Sequence, residues 1–150
     1  MKGIIFVATF LSSPRPAVLK LLRYMPLKYL ATLPFAGYAH KVLFLGPNTS
    51  AVSLERFRRV IKALPSRLIT ARLNTLLTLK LGSTRCDLPA LYIQPSSDKL
   101  VPPNKATEFV RHFSDITIAP VAGPHFILQA NSSVCANIMA GFITQKICTN

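Results

Sequence analysis

The sequence predicts an α/β fold in which a short parallel sheet is interrupted by a long helical insert. Three observations predict it. The chain opens on a compact apolar run, "GIIFVATF", with the composition of a strand. From Pro89 onward, strand-like and helix-like segments alternate, which implies parallel strands joined by right-handed crossovers. Between these lies a leucine-rich, basic, proline-punctuated region whose apolar residues recur at helical spacing.

A chain of 150 residues, half of them hydrophobic and 15% charged, is long enough for one domain with a moderate core and too apolar to be disordered. No apolar run reaches the ~18–20 residues that a membrane-spanning helix needs. The stretch from Leu11 to Leu30 is broken by Arg15, Lys20, Arg23 and Lys28. No transmembrane span is expected. The three cysteines, Cys86, Cys135 and Cys148, are odd in number, far apart and without a CxxC. That argues against a disulfide framework or a zinc site, and fits reduced thiols in a cytoplasmic protein. Neither a metal nor a cofactor is expected.

Charge is the strongest compositional feature. Eighteen basic residues against five acidic ones give +13, and twelve of the basic residues fall between Arg15 and Lys80 with Glu55 as the lone acid. Such a field attracts nucleic acid, acidic lipid surfaces, acidic proteins or phosphorylated substrates, or else serves as a solubilising face. Nucleic acid is not expected. Zinc spacing and glycine-aromatic RNA motifs are absent, and the cations are interleaved with leucines.

Taken in order, Gly3 to Phe10 reads as a strand buried on both faces. The same opening, one lysine followed by an apolar run, also has the form of a secretory signal. The following "SSPRP" weighs against that, because it offers no A-x-A-like cleavage site. Residues 14–82 read as short helices broken at Pro26, Pro34, Pro47 and Pro65. The clearest is "SLERFRRVIKAL", with Ser53 as N-cap and Phe57, Val60, Ile61 and Leu64 on one face. A second helix places Ile69, Leu73, Leu76 and Leu77 together. After Pro89 come strand "ALYIQ", turn "PSSD", and helix "PNKATEFVRHF" with Ala106, Phe109, Val110 and Phe113 inward. Strand "ITIAPV" and loop "AGPH" follow. A last helix is capped near Asn131, with Val134, Ile138 and Phe142 beside Cys135 and Met139. Cys135 is expected to act as a small buried hydrophobe.

In open parallel sheets, chemistry gathers in the loops at the carboxyl ends of strands. Asp98 follows "ALYIQ" and His125 follows "ITIAPV", so consecutive strands can make them neighbours. A carboxylate beside a histidine fixes the imidazole tautomer and frees the other ring nitrogen to act as general base. The order of acid then histidine is that of a nucleophile-elbow hydrolase. His112 lies on an amphipathic helix as a surface residue, His40 has no evident partner, and Asp87 precedes its strand at the wrong end of the sheet.

These motifs, Asp98 in D-x-x-V-P and His125 in G-P-H, resemble those of the α/β-hydrolase family, and the likeness runs over essentially the whole chain. It implies the carboxy-terminal half of such a fold, nearest to the small carboxylesterases. Residues 1–13 and 83–150 would be a partial core, a parallel-sheet remnant, and residues 14–82 a helical cap. The opening run then matches an internal strand, and Met1 would start the chain mid-domain. Asp98 and His125 match the family's triad acid and histidine. The sequence departs from the family in having no G-x-S-x-G elbow and no oxyanion-hole loop. Ser12 and Ser13 follow a strand but lack the flanking glycines. Pro95 stands where the family has a small residue, which stiffens or displaces the Asp98 loop.

The resemblance implies a carboxylic ester hydrolase lineage acting on a small ester or acyl substrate, with the chain inactive alone and its missing amino-terminal half a partner. Two alternatives stay open. One is a non-catalytic module whose basic cap binds acyl chains or an acidic carrier protein. The other is a small exported basic protein.

Overall fold

A computed structural model describes residues 2–26, 33 and 36–148. Three parallel strands, β1 (Ile4–Val7), β2 (Ala90–Pro95) and β3 (Ile116–Val121), form one sheet in the order β1-β2-β3. Ile4 faces Ala90 across the first pair, and Ala90 faces Ile116 across the second. All three carboxyl ends therefore emerge on the same side.

Alternation within the strands divides the core into two layers. On one face Leu91, Ile93 and Val121 pack with Ile127, Cys135 and Phe142, joined by Ile5 and Val7. On the other, Ala90 and Tyr92 pack with Ala106, Phe109 and Phe113, joined by Ile4 and Phe6. Tyr92 stacks on Phe109 with ring centroids 4.3 Å apart, and Phe6 meets Phe109 edge-on at 5.0 Å. The central strand is almost wholly buried, as an α/β/α sandwich requires. β1 is only half-buried along its length. Its side chains reach both layers, Ile5 and Val7 on one face and Ile4 and Phe6 on the other, while among the described residues the strand pairs with β2 alone.

Between β1 and β2 the chain forms α1 (Pro16–Arg23), α2 (Ala36–His40) running into a π-helical turn over Lys41–Leu45, α3 (Ala51–Ala63) and α4 (Ser66–Thr78). The break expected at Pro34 lies outside the described residues. α3 begins earlier than expected: Ser50, not Ser53, is the N-cap, and its hydroxyl accepts from the Ser53 amide at 3.2 Å. It ends at Leu64, whose extended backbone suits the residue before Pro65. Val60 is exposed, so the expected apolar face is narrower than its spacing implied. The two ends of the insert meet, the Ser13 amide donating to the Leu79 carbonyl at 3.2 Å.

After β2, a 3-10 turn at Pro103–Lys105 leads into α5 (Ala106–His112), which buries Ala106 and Phe109 but exposes Val110. After β3 come a short helix α6 (Ile127–Ala130), which was not anticipated, and α7 (Ser132–Phe142) with a π-helical turn to Ile147. Cys135 is fully buried on α7, as expected, while Val134 is exposed. The Asn131 side chain does not cap α7. Its amide donates instead to the Ala122 carbonyl at 2.9 Å, tying the helix to the loop after β3.

Candidate active site

The loops after β2 and β3 are sewn together before any side chain is considered. The amide of Ser96 donates to the Val121 carbonyl at 2.9 Å and that of Ser97 to Gly123 at 3.0 Å. Pro95, the last residue of β2, lies opposite Val121, so the pairing with β3 continues to that point although proline has no N–H to donate. The loop is thus anchored at its start.

Asp98 is held from both sides. Oδ1 accepts from the amides of Leu100 at 2.8 Å and Val101 at 3.0 Å, an Asx-type turn that fixes the carboxylate plane. Oδ2 lies 2.8 Å from Nδ1 of His125, across 27 residues of sequence. The Asp98 side chain is 3% exposed and that of His125 20%. Burial works to raise the Asp98 carboxyl. The His125 hydrogen bond, the Val101 and Leu100 amides and the His125 charge outweigh it, holding the carboxyl below its ordinary range. An ionised carboxylate can only accept, so the proton of this bond resides on Nδ1 and Nε2 of a neutral ring is left as a lone-pair base.

His125 follows Gly123 (φ +150°), where a side chain would collide with Ile127, and Pro124. The helical insert reaches over this loop. The Phe126 amide donates to the Phe44 carbonyl at 2.9 Å. Gly46 adopts φ +87°, and a Cβ there would come within 3.1 Å of Pro124. The rings of Phe44, Phe57 and Phe126 cluster at 5.2–5.9 Å beside His125, which lies 6.4 Å from Phe44 and 5.7 Å from Phe126. The imidazole therefore has a carboxylate on one side and an apolar wall on the other. Sequence reasoning missed this wall. Its one local signal was the aromatic residue directly after His125.

The other candidates are placed elsewhere. The Ser12 hydroxyl donates to Glu108 Oε1 at 2.6 Å and accepts from Lys105 Nζ at 2.6 Å, while its amide donates to Glu108 Oε2 at 3.0 Å. Lys105 and Glu108 form an ion pair. That cluster joins the loop after β1 to α5, and Ser12 is bonded to Glu108 rather than to His125. Ser13 Oγ is buried without a partner. His40 is buried against Phe57, its ring held toward the neutral form by burial and by Arg58. His112 is half-buried with its edge on Phe113, closer packed than the surface position expected for it. Asp87 accepts from the Ser114 hydroxyl at 2.7 Å, at the amino-terminal end of the sheet.

No family model and no curated protein matches the chain. Solved structures do. A thermophilic esterase superimposes with a TM-score of 0.71 at 16% identity over 97% of this chain and 57% of its own. A hydrolase from Pseudomonas aeruginosa PA01 gives 0.76 at 13% identity, covering 95% of this chain and 55% of its own. The enol-lactonase from Burkholderia xenovorans LB400 gives 0.77 at 13% identity, covering 95% and 56%. The fold is α/β-hydrolase-like. The chain spans little more than half the length of each of these structures. Among the described residues, no helix is long and apolar enough to cross a membrane.

Proposed function

We propose that this chain supplies the acid and base of a serine-hydrolase-type triad for carboxylic ester hydrolysis. The 2.8 Å bond between Asp98 and His125, at the ends of consecutive parallel strands, is the observation that supports this reading most directly. In it, Asp98 orients His125 and stabilises the imidazolium. His125 Nε2 takes the proton from a nucleophilic hydroxyl, returns it to the leaving alcohol, and then activates water for deacylation. The nucleophile and the oxyanion donors come from polypeptide outside these 150 residues, since the sequence holds no G-x-S-x-G. Residues 14–82 act as the cap, and Phe44, Phe57 and Phe126 receive the apolar part of the ester.

The chain by itself then has no hydrolytic activity above background, because a base without nucleophile or oxyanion donors lacks the parts that supply most of the acceleration. The test is hydrolysis of p-nitrophenyl esters together with labelling by an active-site phosphonate. It is run on the chain alone and again with a polypeptide carrying an elbow and its preceding strands from a hydrolase of matched fold. Labelling is expected only in the mixture, at the elbow serine, and should vanish with His125→Ala. Stoichiometric labelling of the chain alone would show that the nucleophile is misassigned. Activity in the mixture that survives His125→Ala would remove His125 from the reaction. Acyl binding without turnover in either arrangement would favour a binding module.

A further inference from the structure

α1 is a helix that spends little of itself on the core. Of its eight residues only Leu19 is buried, and the helix packs against α4. Val18, Leu21 and Tyr24 succeed one another at three-residue steps and so form one slanted ridge. All three are exposed, Leu21 at 66% and Tyr24 at 82%, with Met25 exposed beside them. Isolated surface hydrophobes are ordinary, but a continuous ridge of large ones marks a contact surface.

The charge around that ridge is of one sign. α1 carries Lys20 and Arg23, and α4 carries Arg67 and Arg72, all exposed. Neither helix contains an acid. None of the four cations joins an ion pair among the described residues. The only acid before Asp87 is Glu55, which sits near Arg59 at 3.5 Å on α3. Arg23 rests over the Tyr24 ring at 5.8 Å, so the end of the ridge is bordered directly by a guanidinium.

We propose that the α1–α4 layer docks on an anionic lipid bilayer, with Val18, Leu21 and Tyr24 entering the headgroup–acyl boundary and the flanking cations facing lipid phosphates. The combination decides the occupant. Nucleic acid would use the cations and leave the leucine and tyrosine in water. A bilayer accepts both, with short basic amphipathic helices lying in its interface plane. The inference is independent of the hydrolase reading, because lipid binding needs neither Asp98 nor His125.

The sequence contains no tryptophan, so Tyr24→Trp installs a sole tryptophan in the ridge, excited selectively over the remaining tyrosines. Vesicles of phosphatidylcholine are compared with vesicles that also contain phosphatidylglycerol. The expected result is co-sedimentation and a blue-shifted emission with the anionic vesicles alone, both weakening as salt rises. Lys20→Gln with Arg23→Gln should lower the apparent affinity on the order of tenfold or more. Leu21→Ser should abolish the blue shift while circular dichroism stays unchanged. Equal binding to both vesicle types, or none to the anionic ones, overturns the proposal. So does a reporter already blue-shifted without lipid, since Tyr24 would then not be exposed. Retention on the vesicles without a blue shift, reversed by polyglutamate, would reduce the layer to an electrostatic patch and also overturn it.

Discussion

Replacing Asp98 separates two tasks that its carboxylate performs at once. One oxygen holds the turn through Leu100 and Val101, and the other holds His125. Asp98→Asn keeps an oxygen for the two amides but turns an NH2 group toward Nδ1. That nitrogen must then accept, and the ring proton moves to Nε2. The cost is the difference between a charge-assisted and a neutral bond, about 1 kcal/mol. Asp98→Ala removes every acceptor. The His125 bond is lost, and two amides that pointed into a nearly closed turn have only partial access to water, giving about 2–4 kcal/mol in total. Urea unfolding reads the stabilities, and 15N imidazole shifts read the tautomer. The pH dependence has a fixed sign. A carboxyl held below its ordinary range in the folded state contributes stability above its unfolded value near ~3.9, and loses it as pH falls through the folded one. The gap between the parent and Asp98→Asn should therefore hold near neutrality and close below about pH 4. A gap that widens as the pH falls below about 4 would refute the reasoning. So would an Asp98→Asn protein whose proton stays on Nδ1.

Glu108→Gln should cost about 1–2 kcal/mol in urea unfolding, since it replaces the carboxylate shared by Ser12 and Lys105. Burial tends to raise this carboxyl, but the bonds from Lys105 and Ser12 bring it below the usual range, so the loss should shrink as acid protonates the parent. Gly123→Ala should cost at least about 1–3 kcal/mol from backbone strain alone, and the clash with Ile127 should also shift the His125 resonances. Timed alkylation read by mass spectrometry should label exposed Cys148 first and half-buried Cys86 next. Buried Cys135, whose thiol is pushed up by burial, should react only on unfolding.

What could be read from the sequence was whatever the local pattern dictates. Ala90–Pro95 and Ile116–Val121 are short apolar segments between turn signals, and their alternation with helices leaves a parallel arrangement as the ready solution. The Asp98–His125 neighbourhood followed from the same logic, because consecutive parallel strands release their chains on one side. The half-burial of β1 accords with its reading as an internal strand of a partial core, since Ile4–Val7 has the composition of a central strand and among the described residues pairs with β2 alone. Phe44 and Phe57 escaped notice. Their approach to His125 depends on how the insert folds back over the sheet, through Gly46 against Pro124 and the Phe44–Phe126 backbone bond. No periodicity within one segment encodes that. The Ser53 cap failed at single-residue precision because Ser50 competes with it, whereas Asn131 stands at the expected N-cap position but gives its side chain to Ala122.

The bond between Ser13 and Leu79 has a consequence for how such a chain can change over generations. It brings the insert back to the place where it left the sheet, so the strands experience a closed stem whatever lies beyond it. For a flexible connection, each doubling of length adds only about 0.6 kcal/mol of closure entropy. Lengthening, shortening or exchanging the helices above that stem is thus nearly invisible to β1 and β2. What it alters is the wall that leans on His125. The architecture separates a frame that carries the Asp98–His125 pair from an insert that brings Phe44 and Phe57 up beside it.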